Sequence, residues 1–361
     1  MVELAVIVPT FNEKDNVVEL ISRLEATLQG VDWEVIFVDD DSPDGTSEVV
    51  RNISQSKPNV RCIHRIGRRG LSRAVVEGML ASSAPYLAVI DADMQHDETL
   101  LPKMLEKARK ENLDIVIGSR YCSGGSIGEW DTTRAAMSKF ATRLSRLIVK
   151  QPLTDPMSGF FVIQRKSFLS AVRRLSGEGY KILLDLFASS PKEPRFAELP
   201  YKFRPRNAGE SKLDSAVLWE YLLLIIDKTV GHIIPARFFM FSLVGASGLV
   251  VHFATLWAVL QLTSTDAFAK AQTIATITAM TSNYIFNNTF TYHDRRRKGF
   301  GFIKGLFIFY IVCGVGVIGN VGAANFIFNQ NHSWWLAGGA GALVGTVWNY
   351  VASSIFTWGK R

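Results

Sequence analysis

Residues 86–97 read Tyr86-Leu-Ala-Val-Ile-Asp-Ala-Asp-Met-Gln-His-Asp97, and this stretch decides the fold. Leu87 to Ile90 is an apolar run with the length of a buried strand. It stops abruptly at Asp91, Ala92, Asp93, Met94 and Gln95. Residues i, i+2 and i+4 of an extended segment face the same side, so Asp91, Asp93 and Gln95 can turn their oxygens towards one point at the strand's C-terminal edge. Hard oxygen donors suit Mg²⁺ or Mn²⁺. Mg²⁺ is commonly held by one or two carboxylates together with substrate phosphates. Taken alone, two aspartates spaced by one residue fit an acidic strand-to-helix turn better, with Asp97 as a helix cap. The flanking sequence reverses that preference.

Upstream, Leu4 to Pro9 is another apolar run, followed by Thr10-Phe-Asn-Glu13 and an amphipathic helix from about Asp15 to Leu28. Leu20, Ile21, Leu24 and Leu28 share one stripe of that helix. Glu34 to Val38 ends in Asp39-Asp-Asp-Ser-Pro-Asp-Gly45, with Asp44 placed to cap a helix opening near Thr46. Val60 to His64, the loop Gly67-Arg-Arg-Gly70 and a helix over 71–82 form a third unit. Downstream come a helix over 98–110 and a strand over 114–118. This alternation predicts an α/β domain with a mostly parallel sheet. Ligands of such sheets bind beyond the carboxyl ends of the strands. The polar clusters at 10–13, 39–45 and 91–97 all fall there, which argues for one real site.

The chain has 361 residues, enough for two or three domains. Its mean hydropathy, +0.13, is high for a soluble enzyme. The apolar surplus lies in four runs near 238–262, 267–290, 301–328 and 333–357, each close to the about 20 residues a bilayer needs. Asn283, Asn287 and Asn288 make the second run the most polar, and such residues are expected to face other helices. Gly245, Gly248, Gly338, Gly339, Gly341 and Gly345 would allow close helix contact. The loops 263–266 and 329–333 carry no Lys or Arg, whereas Asp294-Arg-Arg-Arg-Lys298 and the tail Gly359-Lys-Arg361 do. The positive-inside rule then predicts a multi-pass protein of the cell membrane with its first domain in the cytoplasm. A net charge of +7 suits a phosphate-bearing partner or an anionic lipid surface; no nucleic-acid partner is expected. Residues 132–150 read as a basic amphipathic helix of the membrane-surface kind. The stretch 213–230 fits an interfacial helix or a core-packed one equally well. Cys62, Cys122 and Cys313 show neither metal nor redox spacing, which points to a reducing compartment. No signal peptide is visible. The expected organisation is a catalytic domain over 1–212, an interface helix or linker over 213–235 and a membrane domain of four helices over 236–361.

Val8-Pro-Thr-Phe-Asn-Glu13, Val38-Asp-Asp-Asp-Ser42, Arg68-Arg-Gly-Leu-Ser-Arg-Ala74 and Asp91-Ala-Asp-Met-Gln-His96 resemble the inverting glycosyltransferases of the GT-A fold. Within that group the chain is most similar to the polyprenyl-phosphate glycosyltransferases. Asp155-Pro-Met-Ser-Gly-Phe160 and Gly209-Glu-Ser-Lys-Leu213 narrow the resemblance to the dolichol-phosphate mannose synthase type. The C-terminal part resembles GtrA-like membrane domains. The resemblance implies transfer of mannose from GDP-mannose to dolichyl phosphate, with inversion, on a GT-A domain. It implies that Pro9, Thr10, Glu13, Val38 and Asp39 edge the base and ribose. Asp91, Ala92, Asp93 and Gln95 would lie against the nucleotide sugar, with Asp91, Asp93 and Gln95 as ligands of Mg²⁺ or Mn²⁺. Lys181, Arg206 and Lys212 would hold the diphosphate, and Arg120, Arg134 and Ser138 the acceptor phosphate. Asp91, Asp93, Arg120, Arg134 and Arg206 would carry the chemistry.

The residue types agree with these roles, since arginine grips phosphate through two parallel donors. Other readings stay open residue by residue. Asn12 and Glu13 equally suit a helix cap, and an arginine is more often a solvated surface charge. His96 fits a loop contact better than a ligand. A phosphomonoester has a second pKa of about 6 and is already a dianion at neutral pH, so it attacks without a general base; a sugar hydroxyl would need one. The six scattered histidines fit that expectation. Three alternatives remain: UDP-glucose as donor to a polyprenyl phosphate, a transporter or flippase with a regulatory soluble domain, and a processive polysaccharide synthase. An intact acidic cluster argues against the second, and the third lacks its base and Q-x-x-R-W motif.

Overall fold

The computed structural model describes residues 1–68, 70–126, 145–146, 148–149, 151–176, 181–204, 224–229, 235–262, 268–331 and 334–359. The chain divides into two compact units, Met1–Thr229 and Val230–Arg361.

The first unit is built on a 7-stranded sheet. Its strands are β1 (Leu4–Thr10), β2 (Trp33–Asp39), β3 (Val60–His64), β4 (Tyr86–Val89), β5 (Ile115–Ser119), β6 (Phe161–Gln164) and β7 (Phe196–Pro200), in the spatial order β3-β2-β1-β4-β6-β5-β7. The strands β1 to β4 are parallel, as the sequence predicts. β6 departs from that pattern: it runs antiparallel between β4 and β5. β1 and β2 are almost wholly buried because helices cover both faces of the sheet. On one face α1 (Lys14–Thr27) packs Val17, Leu20, Ile21 and Leu24 against Val6, Val8 and Phe37. On the other, α3 (Leu71–Leu80) sets Val75 and Met79 against Ile7, Ile36 and Val38. A side chain at Gly78 would collide with Ile7 and Val38, so α3 lies as close to the sheet as glycine allows. Among the described residues this unit also holds α2 (Thr46–Ser54), α4 (Leu101–Lys110), α5 (Arg165–Ala171) and α6 (Ile182–Ser189).

Register fixes the rim. Pairing of Thr10 with Asp39, and of Ile7 with Val89, brings the ends of β2, β1 and β4 level. Ile90 N continues the ladder by donating to Ile7 O at 3.2 Å. Asp91 therefore emerges beside Pro9 and Thr10. The antiparallel β6 delivers the loop 155–160 to the same rim, between the ends of β4 and β5. Residues 224–229 are helical, and Leu224 and Ile225 are buried in the core of this unit. This part of the 213–230 stretch thus follows the core-packed alternative.

The second unit holds four long helices: α7 (Ala236–Leu262), α8 (Phe268–Phe286), α9 (Phe300–Asn331) and α10 (Trp334–Ala352). α7 and the Phe300–Ile327 part of α9 are each long and apolar enough to cross a membrane. Their outward faces expose Val250, Phe253, Trp257, Phe307, Ile311 and Ile318. Contiguous apolar surface on this scale calls for lipid or a partner. Of the glycines expected at helix contacts, Gly248 lies under Asn283, and Gly341 and Gly345 lie against Asn320, whereas Gly245 and Gly339 face open space.

Candidate active site

Three loops meet at the rim, and side chains of one cap the next. The backbone N–H groups entering α1 find acceptors in the segment after β2: Asn12 N donates to Ser42 Oγ at 2.9 Å, Glu13 N to Thr46 Oγ1 at 3.1 Å and Lys14 N to Asp44 Oδ2 at 3.1 Å. Helix capping is thus supplied from across the rim rather than by Asn12 or Glu13. Glu13 instead accepts from Asn16 Nδ2 at 2.7 Å. Among the described residues four non-glycine residues have positive φ, and three of them, Asn12 (58°), Asp41 (59°) and Met94 (61°), sit one in each rim loop. Left-handed backbone outside glycine is costly and gathers at functional sites.

The three consecutive aspartates after β2 go three ways. Asp39 is fully buried and accepts from Thr10 Oγ1 (3.1 Å), Ser42 Oγ (2.6 Å) and Ser42 N (3.0 Å). A carboxylate has about four acceptor positions, so capacity for one further donor is left. Asp40 takes the buried guanidinium of Arg65 and Gly70 N, while Asp41 takes His64 Nε2 at 3.0 Å and Gly67 N at 3.2 Å. Burial raises the Asp40 carboxyl above its ordinary range, against the pull of Arg65. Together these two aspartates clamp the loop 65–70. Arg68, in the same loop, pairs with Glu77 at 3.0 Å. Val38 and Ala92 are buried, so only their backbone faces the rim.

At the end of β4, Asp91 keeps 38% of its side chain exposed, whereas Asp93 is buried. Asp93 Oδ1 accepts from Gln95 N at 3.1 Å, closing a tight turn through Met94. Gln95 Nε2 donates to Arg204 O at 3.2 Å, which engages the amide nitrogen and identifies its oxygen as the group a cation would take. Among the described residues no three His, Cys, Asp or Glu side chains cluster as a closed cage. Two carboxylates and an amide oxygen form the open set that a hard divalent cation takes when substrate phosphates complete its shell. The residues present therefore fit Mg²⁺ or Mn²⁺.

Beneath Asp91 lies an aromatic cage. His96 stacks on Phe160 with centroids 5.2 Å apart and meets the edges of Tyr201 and Phe203. Its Nδ1 accepts from Asp91 N at 3.2 Å, so the proton of the neutral ring is on Nε2. Burial pushes its pKa down to about 4. His96 is a structural support for the Asp91 backbone, in keeping with the loop-contact reading. The hydroxyl of Tyr201 is buried and has no hydrogen-bond partner among the described residues.

Arg120 differs from the open cation that its position suggests. Its Nε and Nη2 each lie 2.8 Å from Asp155, and its backbone N donates to the same carboxylate at 3.1 Å. The guanidinium is about as buried as its partner, at 10% and 0% side-chain exposure. Its outer surface meets the rings of Tyr121 and Phe203. Nothing local in the sequence pairs Asp155 with Arg120, 35 positions away; the motif Asp155-Pro-Met-Ser-Gly-Phe160 marks the loop but not the partner. Lys181 opens α6 in the field of Arg120, Asp155 and Asp91; burial first, and then Arg120, lower its ammonium to about 8. The structure thus gathers Pro9, Thr10, Glu13, Asp39, Asp91, Asp93, Gln95, Arg120 and Lys181 on one rim. Arg134, Ser138, Arg206 and Lys212 lie outside the described residues.

Two family models match the chain: Glycosyl transferase family 2 over residues 5–170 and the GtrA/DPMS transmembrane domain over 240–358. A dolichol-phosphate mannosyltransferase of Pyrococcus furiosus is 37% identical over 82% of this chain and 82% of its own. One from Saccharomyces cerevisiae is 37% identical over 72% of this chain and 94% of its own. A solved glucosyl-3-phosphoglycerate synthase of Mycobacterium tuberculosis superposes with a TM-score of 0.48 at 17% identity, covering 63% of this chain and 79% of that one, too loosely to carry an argument.

Proposed function

This chain belongs to the dolichol-phosphate mannosyltransferases, glycosyltransferases with a family 2 domain and a GtrA/DPMS transmembrane domain, and from that premise we propose that it moves mannose from GDP-mannose to dolichyl phosphate with inversion, using Mg²⁺ or Mn²⁺. The observation that carries this reading is the convergence of Asp91, Asp93 and Gln95 with Lys181 and the Arg120–Asp155 pair at one rim. That rim offers hard oxygens for a cation and, in the field of Asp91, the Lys181 ammonium for a phosphate.

In this reading Pro9, Thr10, Glu13, Val38 and Asp39 seat the nucleoside. Asp91, Asp93 and Gln95 hold the divalent ion, whose chemistry is to neutralise the departing diphosphate. Lys181, Arg206 and Lys212 bind that diphosphate. Arg120, Arg134 and Ser138 bind the acceptor phosphate. Asp155 fixes the direction of Arg120 through two side-chain bonds of 2.8 Å, so Asp155 acts as a positioning residue. A lipid phosphate dianion attacks the anomeric carbon directly, which agrees with a rim whose buried histidine is neutral and engaged. The helices of the second unit are proposed to span the cell membrane several times, with the first unit in the cytoplasm. Incubating the purified full chain with radiolabelled GDP-mannose or UDP-glucose and dolichyl phosphate tests this. Label should enter lipid from GDP-mannose, cease with EDTA and return with Mn²⁺. Label entering only from UDP-glucose would overturn the donor, and equal turnover in EDTA would overturn the metal.

A further inference from the structure

The second unit repeats itself. Asn283-Tyr284 answers Asn349-Tyr350, Asn287-Asn288 answers Ser353-Ser354, and Phe290-Thr291-Tyr292 answers Phe356-Thr357-Trp358. In the helices before them, buried Phe241, Val244 and Gly248 answer buried Phe309, Val312 and Gly316. Structure repeats where sequence does. Asn283 packs over Gly248 of α7, and Asn349 over Gly316 of α9. α8 and α10 both run into a π-helical turn, Asn287–Thr291 and Ser353–Thr357. Tyr292 N donates to Asn287 O at 2.8 Å and Trp358 N to Ser353 O at 2.9 Å. The rings of Tyr292 and Trp358 stack on each other, 4.2 Å apart and 6° from parallel. α7–α8 and α9–α10 are therefore two copies of one hairpin, and their π turns meet at a seam. Such turns are rare and concentrate at functional sites.

We infer that this seam binds the phosphate headgroup of an anionic membrane lipid, with Arg297 as its cation. Arg297 is built into the seam from three directions. Its N donates to Asn288 Oδ1 at 2.8 Å, its O accepts from Asn288 Nδ2 at 3.2 Å, and its Nε donates to Thr357 O in the second copy at 2.9 Å. Asn288, only 1% exposed, also accepts from Trp358 Nε1 at 3.1 Å. The backbone and one edge of the guanidinium are fixed before any ligand arrives, and a planar fork so held suits a phosphate oxygen pair. The two copies differ at the point that matters. In the first, Thr291 Oγ1 donates to Asn287 Oδ1 at 2.7 Å. In the second the counterpart of Asn287 is Ser353, which is too short to repeat that bond. Ser353 Oγ and Thr357 Oγ1 are buried and have no hydrogen-bond partner among the described residues. A buried hydroxyl without a partner is costly, and a ligand oxygen reaching it would supply the missing bond. Exposed Arg296 and Lys298 flank the site. Cations beside aromatic rings at the ends of apolar helices are what a headgroup layer meets.

The test uses the full chain in nanodiscs with spin-labelled phosphatidylglycerol or phosphatidylcholine as the probe. Wild type should hold phosphatidylglycerol preferentially, and Arg297→Gln should lower that preference about fivefold, the effect of one well-placed cation. Arg297→Lys, which keeps charge but loses the fork, should fall between them. Thr357→Val should weaken lipid retention while leaving the lipid-free protein at least as heat-stable, because the lost hydroxyl has no partner; this variant stands if Arg297→Gln does not fold. Inorganic phosphate at millimolar concentration should not displace the lipid. Unchanged preference in both Arg297→Gln and Thr357→Val would overturn the site. Full displacement by inorganic phosphate would overturn the lipid as its ligand. Either result leaves mannosyl transfer by the first unit untouched.

Discussion

Asp155→Asn keeps the side-chain volume and removes one charge. Asp155 is fully buried, and its two oxygens take Arg120 Nε and Nη2 at 2.8 Å each and Arg120 N at 3.1 Å. The substitution leaves a guanidinium of 10% exposure without its buried counter-charge. Breaking a buried pair in this way costs about 3–5 kcal/mol. At about 2–4 °C per kcal/mol for a domain of this size, Tm falls by about 6–20 °C. A second effect follows from Lys181, whose pKa of about 8 is held up in part by Asp155. Without that carboxylate the ammonium loses its proton at lower pH. With Lys181 on the diphosphate as proposed, affinity for GDP should then decline from a lower pH than in wild type. Thermal unfolding of the full chain in detergent at pH 7 measures the first effect, and GDP titrations across pH 6–9 measure the second. A Tm within about 2 °C of wild type, together with an unmoved alkaline limb, would refute the reasoning.

Asp93→Ala should abolish transfer from GDP-mannose while leaving the fold intact by circular dichroism; full activity would remove the acidic cluster from the mechanism. GDP binding at pH 8.5 should take up protons, because Lys181 is mostly neutral above its pKa of about 8 and the bound diphosphate favours its ammonium; calorimetry in buffers of different ionisation enthalpy reads this, and no buffer dependence would contradict it. Gly78→Ala overpacks against Ile7 and Val38 at a cost of about 1–3 kcal/mol, offset by a helix-propensity gain of about 1 kcal/mol, so stability should fall by up to about 2 kcal/mol. Urea unfolding checks it, and a stabilised variant would show that α3 can move away from the sheet.

The parallel half of the sheet was legible because β1, β2 and β4 are apolar runs punctuated by acidic turns, and local pattern alone fixes such elements. Asp91, Asp93 and Gln95 shared a face on spacing alone, and the structure keeps them on one rim, though a turn at Met94 rather than an extended segment places them. β6 was not legible. Phe161–Gln164 is four residues long, and its antiparallel insertion depends on pairing with Leu87 and Val116, far away in sequence. The consequences of β6 were hidden with it: the Arg120–Asp155 pair and the cage of His96, Phe160, Tyr201 and Phe203 join segments that share no local signal. The Arg65–Asp40 clamp was missed for the same reason. In the second unit the four apolar runs gave four helices, but no local pattern marks the π turns ending α8 and α10, whose following residues Tyr292 and Trp358 stack across the seam.

Diffraction from crystals of the full chain grown with Mn²⁺ and GDP, recorded at the manganese absorption edge, addresses the metal site without relying on turnover. An anomalous peak touching Asp91, Asp93 and Gln95 on one side and the diphosphate on the other is the predicted result. A well-ordered diphosphate with no peak between it and those three side chains would contradict the account.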